Sequence, residues 1–158
     1  MNSELKTVRF SKAEFDVPKL AKELTALKAL ASRTPTPVTA QQLEQVEASS
    51  DLCNLFIQLN GNHVVGWCTI TISLFEDRGH LGPIAVHKTG EHTGHGTALM
   101  NFALDYIWQN YSEIHRIDLS NRPSHDLERW YKKFGFVPRT QAEDDPTTVY
   151  RLNRPETM

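Results

Sequence analysis

Ile84-Ala85-Val86-His87-Lys88-Thr89-Gly90-Glu91-His92-Thr93-Gly94-His95-Gly96-Thr97-Ala98-Leu99-Met100 is the stretch on which the fold turns. It begins as an apolar strand, passes through a loop holding Gly90, Gly94 and Gly96, and enters a segment whose Leu99, Met100, Ala103, Leu104, Ile107 and Trp108 give a helix over Gly96 to Tyr111 a broad apolar face. Glycines let a backbone aim its N–H groups at one point, and a helix N-terminus adds about half a positive charge there. Together they form a phosphate cradle that needs no basic side chain. The common phosphate patterns do not match: no Lys stands where a P-loop requires it, and Gly94-His95-Gly96 is followed by Leu99 where a dinucleotide fingerprint has its third glycine. On the loop alone, a glycine-rich connection without a ligand stays open. His87, His92 and His95 lie around Glu91, but the spacing exceeds that of a His-x-x-Glu-His site by one residue and falls in a loop, so no metal is expected.

Upstream, His80 to Val86 reads as a strand interrupted by Gly82-Pro83. Proline cannot donate to a ladder, so the strand is expected to bulge or lose a partner there. Leu52–Leu59 and His63–Phe75 are two further strands, joined through Asn60-Gly61-Asn62 as a tight antiparallel hairpin. A first strand at Thr7–Phe10 precedes a helix opened by Asp16 and Pro18, with Leu20, Leu24, Leu27 and Leu30 as its buried stripe. Pro35 and Pro37 break that helix, and Thr39 caps a second one. Downstream come a strand at Ile114–Leu119 and a helix capped by Ser124, whose Leu127, Trp130, Tyr131 and Phe134 share a face and which Gly135 ends. Phe136-Val137 and Thr147–Leu152 are the last strands. The expected order is β-α-α-β-β-β-α-β-α-β-β, an α/β fold with a mixed, mostly antiparallel sheet flanked by helices.

The 158 residues carry 17 Lys plus Arg against 19 Asp plus Glu, and 39% are apolar. One domain over 1–158 is expected, with 1–4 and 154–158 frayed. A net charge of −2 speaks against a dedicated nucleic-acid binder, and no apolar run approaches the ~18 residues of a membrane span. Cys53 and Cys68 are too few for a disulfide framework and read as buried, inert thiols. With no secretory pattern in Met1–Phe10, a reducing, cytoplasmic setting is expected.

Two motifs together resemble the GNAT N-acetyltransferase superfamily. The family's coenzyme motif follows a strand ending in Val and reads Arg or Gln-x-x-Gly-x-Gly or Ala; here Val86 is followed by Glu91-His92-Thr93-Gly94-His95-Gly96. Its second motif, Leu-Tyr-x-x-x-Gly-Phe, resembles Trp130-Tyr131-Lys132-Lys133-Phe134-Gly135-Phe136. The resemblance is strongest over residues 80–137. It implies that the Val86 end of the fourth strand splays from the fifth strand, with the pantetheine arm of acetyl-CoA along Ile84, Ala85 and Val86. It also implies the pyrophosphate on amides of Glu91, His92, Thr93, Gly94, His95, Gly96 and Thr97, with Lys88 and Lys132 near the 3′-phosphate. Glu91 departs from the pattern: a carboxylate 4 Å from a phosphate charge is repelled by about 4 kcal/mol at intermediate dielectric. That departure supports a second reading, a GNAT-like module that binds acyl-CoA or a protein without efficient catalysis.

The first reading is an acetyl-CoA-dependent N-acetyltransferase moving an acetyl group to a primary amine by direct attack in a ternary complex. Such transfer needs a deprotonated amine, a polarised carbonyl and a proton for the leaving thiolate. The resemblance assigns the acid to Tyr131, which otherwise reads as a core aromatic. It places His80, six residues before Val86, where the family often carries its base; an imidazole titrates near neutrality, though a histidine at a strand start is also an ordinary surface residue. An N–H near Ile84 or Ala85 would polarise the carbonyl, and Glu143, Asp144 and Asp145 would attract a cationic amine if they border its cleft. The acceptor, a small or peptide amine, is not legible, and a homodimer rests on family analogy.

Overall fold

A computed structural model describes residues 5–31, 37–48, 52–86, 94–121, 125–139 and 148–155. Its elements are β1 (Leu5–Arg9), α1 (Val17–Ala31), α2 (Ala40–Ala48), β2 (Cys53–Asn60), β3 (His63–Ser73), β4 (Arg78–Val86), α3 (His95–Asn110), β5 (Arg116–Asn121), α4 (His125–Lys133), β6 (Val137–Pro138) and β7 (Thr148–Asn153). A short 3-10 turn at Lys12–Glu14 is added to the expected order. Local chemistry explains most boundaries. Asp16 Oδ1 accepts from the Lys19 amide at 3.3 Å. Thr39 and Gln42 exchange side-chain to backbone bonds at 3.1 and 3.0 Å, a capping box at the start of α2. Asn60 pairs with His63, leaving Gly61 in the first turn position with φ 62°, a conformation that favours glycine. At the other end of the chain Arg154, at the edge of the terminus expected to fray, donates to the carbonyls of Ile114, Trp108 and Tyr111 and lies over the Trp108 ring.

The strands form one sheet in the order β1-β2-β3-β4-β5-β7-β6. Every neighbouring pair is antiparallel except β4 and β5. Alternation along the strands divides the apolar residues between two cores. On one face Phe56, Cys68, Ile70, Leu81, Ile117, Leu119 and Tyr150 pack with α3, Tyr131 and Phe136. On the other, Leu55, Ile57, Trp67 and Ala85 pack with Leu20, Leu24 and Leu27 of α1 and Leu43 of α2. The second core serves only the β1–β4 half. Beyond it, the same sheet face carries Arg78, His80, Arg116, Asp118 and Arg151.

Two irregularities of β4 shape the centre of the sheet. Ile70 faces Leu81 and Cys68 faces Ile84, so β4 spends three steps where β3 spends two, a bulge at Gly82-Pro83. The bulge keeps both Leu81 and Ile84 on the α3 face. A Cβ on Gly82 would stand 2.3 Å from Thr69 Oγ1, so a larger residue there would force the Thr69 side chain to move. The second irregularity is the brevity of the parallel pairing. Arg78, Gly79 and His80 face Arg116, Ile117 and Asp118, and there it stops. From Leu81 onward β4 pairs only with β3, while β5 runs on to Asn121 beside β7.

A buried carboxylate holds the two strands together just before they separate. Asp118 is 2% exposed. It accepts from Arg151 Nε at 2.8 Å and Nη2 at 3.1 Å, and from Arg78 Nη1 at 3.1 Å. Arg116 Nε lies 4.0 Å away, and Glu76 holds Arg78 from outside at 2.5 Å. Burial pushes the Asp118 carboxyl up, but hydrogen bonds from Arg151 and Arg78 and the charges of Arg151 and Arg116 outweigh it, holding the group below its ordinary range. Three strands are thus tied at one point. Asp118→Asn is expected to lower unfolding free energy by roughly 1.5–3 kcal/mol near neutral pH, at the low end because the arginines reach solvent. A depressed carboxyl contributes fully above its unfolded value of about 4 and loses that contribution as pH falls through its folded value. The gap between wild type and Asp118→Asn in urea melts should therefore close as pH drops below about 4; a pH-independent gap contradicts this assignment.

Candidate coenzyme cleft and reaction site

The separation of β4 from β5 opens a wedge between Leu81–Val86 and Leu119–Asn121. Along β4, alternate N–H and C=O groups point toward β3, and the intervening ones point into the wedge. An extended ligand lying there meets the backbone as a strand would. Ala85 is 2% exposed and Ile84 is half-buried, so this arm is anchored on both faces. The backbone of Val86 completes it.

The chain re-enters the described structure at Gly94, the residue before α3. Gly94 has φ 82°, in the left-handed region that favours glycine, and a Cβ there would meet nothing within 4 Å. No described side chain caps the helix. The first amides of a helix have no intrahelical acceptor, which leaves those of His95, Gly96 and Thr97 outside the ladder of α3 itself. Ala98 N–H already bonds to the Gly94 carbonyl at 3.0 Å, which marks where the helix ladder begins. Glu91, His92 and Thr93, expected in the same cradle, lie outside the described residues, as do Lys88 and Glu143, Asp144 and Asp145.

The start of α3 is held from beneath by a residue the sequence did not single out. Gln58, on β2, is fully buried, and its Nε2 donates to the His95 carbonyl at 2.8 Å. Its Oε1 and the Nδ1 of His95 are both buried without a hydrogen-bond partner among the described residues. Gly66 on β3 leaves room for the amide; a Cβ there would be 3.2 Å from Oε1. The available signal was one amide in the run Leu55-Phe56-Ile57-Gln58-Leu59. Asp118 was likewise flagged only by its place between Ile117 and Leu119.

The two candidate catalytic side chains fall on opposite faces of the sheet. His80 is exposed, on the face with Arg78 and Asp118, at the last paired position before the wedge. Tyr131, on α4, is 4% exposed in the opposite core, with its ring 5.5 Å from Tyr150, 6.1 Å from Phe136 and 5.4 Å from Trp130. The structure does not bring them into contact. Tyr131 is also fixed through its backbone. Gly135, at φ 101°, turns the chain so that Phe136 N–H returns to the Tyr131 carbonyl at 3.3 Å and Gly135 N–H to Lys132 at 3.0 Å. That turn accounts physically for a Gly-Phe pair after the helix. Lys132 is exposed on the same helix.

Both thiols are poor nucleophiles. Complete burial pushes the Cys68 thiol far up, and burial also raises Cys53, against a bond with Thr71. Among the described residues, no group of three His, Cys, Asp or Glu side chains is placed to hold a metal ion, and no helix is long and apolar enough to cross a membrane.

Known proteins share this fold. Ribosomal-protein-S5-alanine acetyltransferase from Vibrio fischeri superposes with a TM-score of 0.77 at 15% identity, covering 98% of this chain and 95% of that one. An acetyltransferase from Streptococcus agalactiae gives 0.76 at 14% identity over 96% and 99% of the two chains. The protein yncA from Salmonella typhimurium, solved with its cofactor acetyl-CoA, gives 0.73 at 15% identity over 98% and 96%. At such identities these likenesses establish the fold. No curated protein matches the sequence. The model of the acetyltransferase (GNAT) family, however, matches residues 21–136 of the 158, from within α1 through both arms of the wedge and the start of α3 to the Tyr131 turn, and on that match the chain belongs to the GNAT acetyltransferase family.

Proposed function

We propose that the protein transfers an acetyl group from acetyl-CoA to a primary amine, by direct attack of the amine with both substrates bound. The observation that carries this reading is the wedge that opens after His80, followed by the N-terminus of α3, which no described side chain caps. Acetyl-CoA is the donor, and it supplies an activated acyl thioester. The wedge-facing edge of Leu81–Val86 offers backbone groups to its pantetheine portion, and the amides of His95, Gly96 and Thr97 offer N–H donors to its pyrophosphate. An N–H of Ile84 or Ala85 directed into the wedge polarises the acyl carbonyl.

The positions of His80 and Tyr131 support a division of labour. The face carrying His80 is left uncovered by α1 and α2, so an amine has access from that side. There the imidazole takes the proton from the amine nitrogen. Tyr131, across the sheet, gives its phenolic proton to the departing sulfur. Direct transfer is favoured over an acyl-enzyme because the burial of Cys68 and the raised Cys53 leave no activated thiol among them to carry the group. Small-molecule amines and peptide N-termini both fit this chemistry; two proteins of the same fold are named for alanine acetylation on ribosomal proteins. The donor chemistry suits a single domain in the cytoplasm, where acetyl-CoA and free amines meet, and calls for no nucleic acid, membrane or metal. A second copy of the chain is compatible with it.

Release of free thiol from acetyl-CoA, measured across amines, polyamines, amino acids and peptides, tests the proposal. Turnover with at least one class is expected; coenzyme binding with no turnover over the whole panel would favour a binding module, and no CoA binding would end both readings. With an accepted amine, His80→Ala should lower kcat/KM by roughly 10²–10⁴ at neutral pH, and a more alkaline buffer should recover part of the loss. Tyr131→Phe should lower kcat by about tenfold or more while the Kd for CoA stays within about twofold. An unchanged kcat removes either residue from its role.

A further inference from the structure

We infer that Gln58 is a positioning residue for the coenzyme: it tunes the grip on the pyrophosphate without touching it. The inference rests on the reading that the first amides of α3 hold that group. Gln58 sits on β2, two strands away from the wedge, in a run otherwise made of Leu55, Phe56, Ile57 and Leu59. A side chain packed there for stability alone would be apolar. Its Nε2 instead reaches the His95 carbonyl at 2.8 Å, in the first turn of α3. The assignment of its two ends is not arbitrary, since turning the amide over would set Oε1 against a carbonyl, acceptor against acceptor. In the orientation present, Oε1 is left buried without a partner among the described residues.

This pattern separates positioning from ordinary packing. A buried acceptor left unpaired works against the fold, and native proteins contain few such groups. Gly66 makes the arrangement possible, because a side chain there would crowd Oε1 at 3.2 Å and the Ala85 carbonyl at 3.3 Å. What the amide contributes is local. The His95 carbonyl already faces along the helix toward its own ladder partner, and a second donor from the sheet side fixes how the first turn lies. The Gly96 N–H shares the peptide plane of the His95 carbonyl and the N–H groups of His95 and Thr97 lie in the planes on either side of it, so their direction follows that tilt. Preorganised donors bind an anion more tightly than donors that must reorient.

Gln58→Met and Gln58→Leu remove the donor and the orphan acceptor while keeping the volume apolar and similar. CoA and pantetheine, which lacks the pyrophosphate, serve as probes in calorimetric titrations of wild type and both variants. The expected result is a rise of about five- to tenfold in the Kd for CoA, the equivalent of one hydrogen bond. The Kd for pantetheine should be unchanged, and the Tm without ligand no lower than that of wild type. An unchanged CoA Kd, equal weakening toward both probes, or a loss that accompanies a lowered Tm in both variants would overturn the role of Gln58. Failure of the underlying reading gives a different result: wild type itself would bind CoA no more tightly than pantetheine. Should one variant fail to fold, the other carries the comparison; if both unfold, Gln58 is structural and the inference is wrong.

Discussion

Strand β4 must be bonded to β5 and then let go, and the remaining architecture serves that transition. Pairing over Arg78–His80 gives the sheet its continuity, and release from Leu81 onward gives it an opening. Both halves of the constraint have identifiable chemistry. Before the split, Asp118 gathers Arg78 of β4, Arg151 of β7 and the charge of Arg116 on its own strand. After it, Gly82-Pro83 inserts an extra residue, and Pro83 has no N–H with which to extend a ladder toward β5. A charged tie at the vertex and a bulge just above it hold an opening that a regular sheet would close.

The opening joins two different environments. On the α3 and α4 side lies the larger apolar core, in which Tyr131 is enclosed by Trp130, Phe136 and Tyr150. The other side is lined at the vertex by His80 and the arginine–aspartate cluster, beyond the reach of the α1–α2 core. An apolar, water-poor face suits a thioester and its leaving sulfur, and a polar, accessible face suits a water-soluble amine. The asymmetry follows from the alternation of β4 and β5. Gly79, Leu81, Ile117 and Leu119 turn inward while Arg78, His80, Arg116 and Asp118 turn outward. One peptide step in the register would exchange the two sets.

The elements that carry this design differed in how plainly the sequence announced them. The hairpin at Gly61, the cap at Thr39, the stripe of α3 and the stop at Gly135 depend on a few adjacent residues, and each reads correctly from local pattern. Gly82-Pro83 gave the break in β4 for the same reason. Which strand β4 would leave is a nonlocal matter and came only from family resemblance. The tie at Asp118 was not legible. Its partners, Arg78 and Arg151, are 40 and 33 residues away along the chain, and nothing local brings them together. Gln58 was hidden likewise, because its bond to His95 exists only once α3 has folded back across β2 and β3. In both cases the trace left in the sequence is a polar residue with apolar neighbours, Asp118 between Ile117 and Leu119 and Gln58 between Ile57 and Leu59.

Amide chemical shifts of ¹⁵N-labelled protein titrated with acetyl-CoA test the account at its centre. Binding in the wedge predicts shift changes that saturate together on its two arms, over Leu81–Val86 on one side and Leu119–Asn121 on the other, and at His95–Thr97, while the β1–β2 edge stays unperturbed. Changes confined to the start of α3, or centred away from the split between β4 and β5, would contradict it.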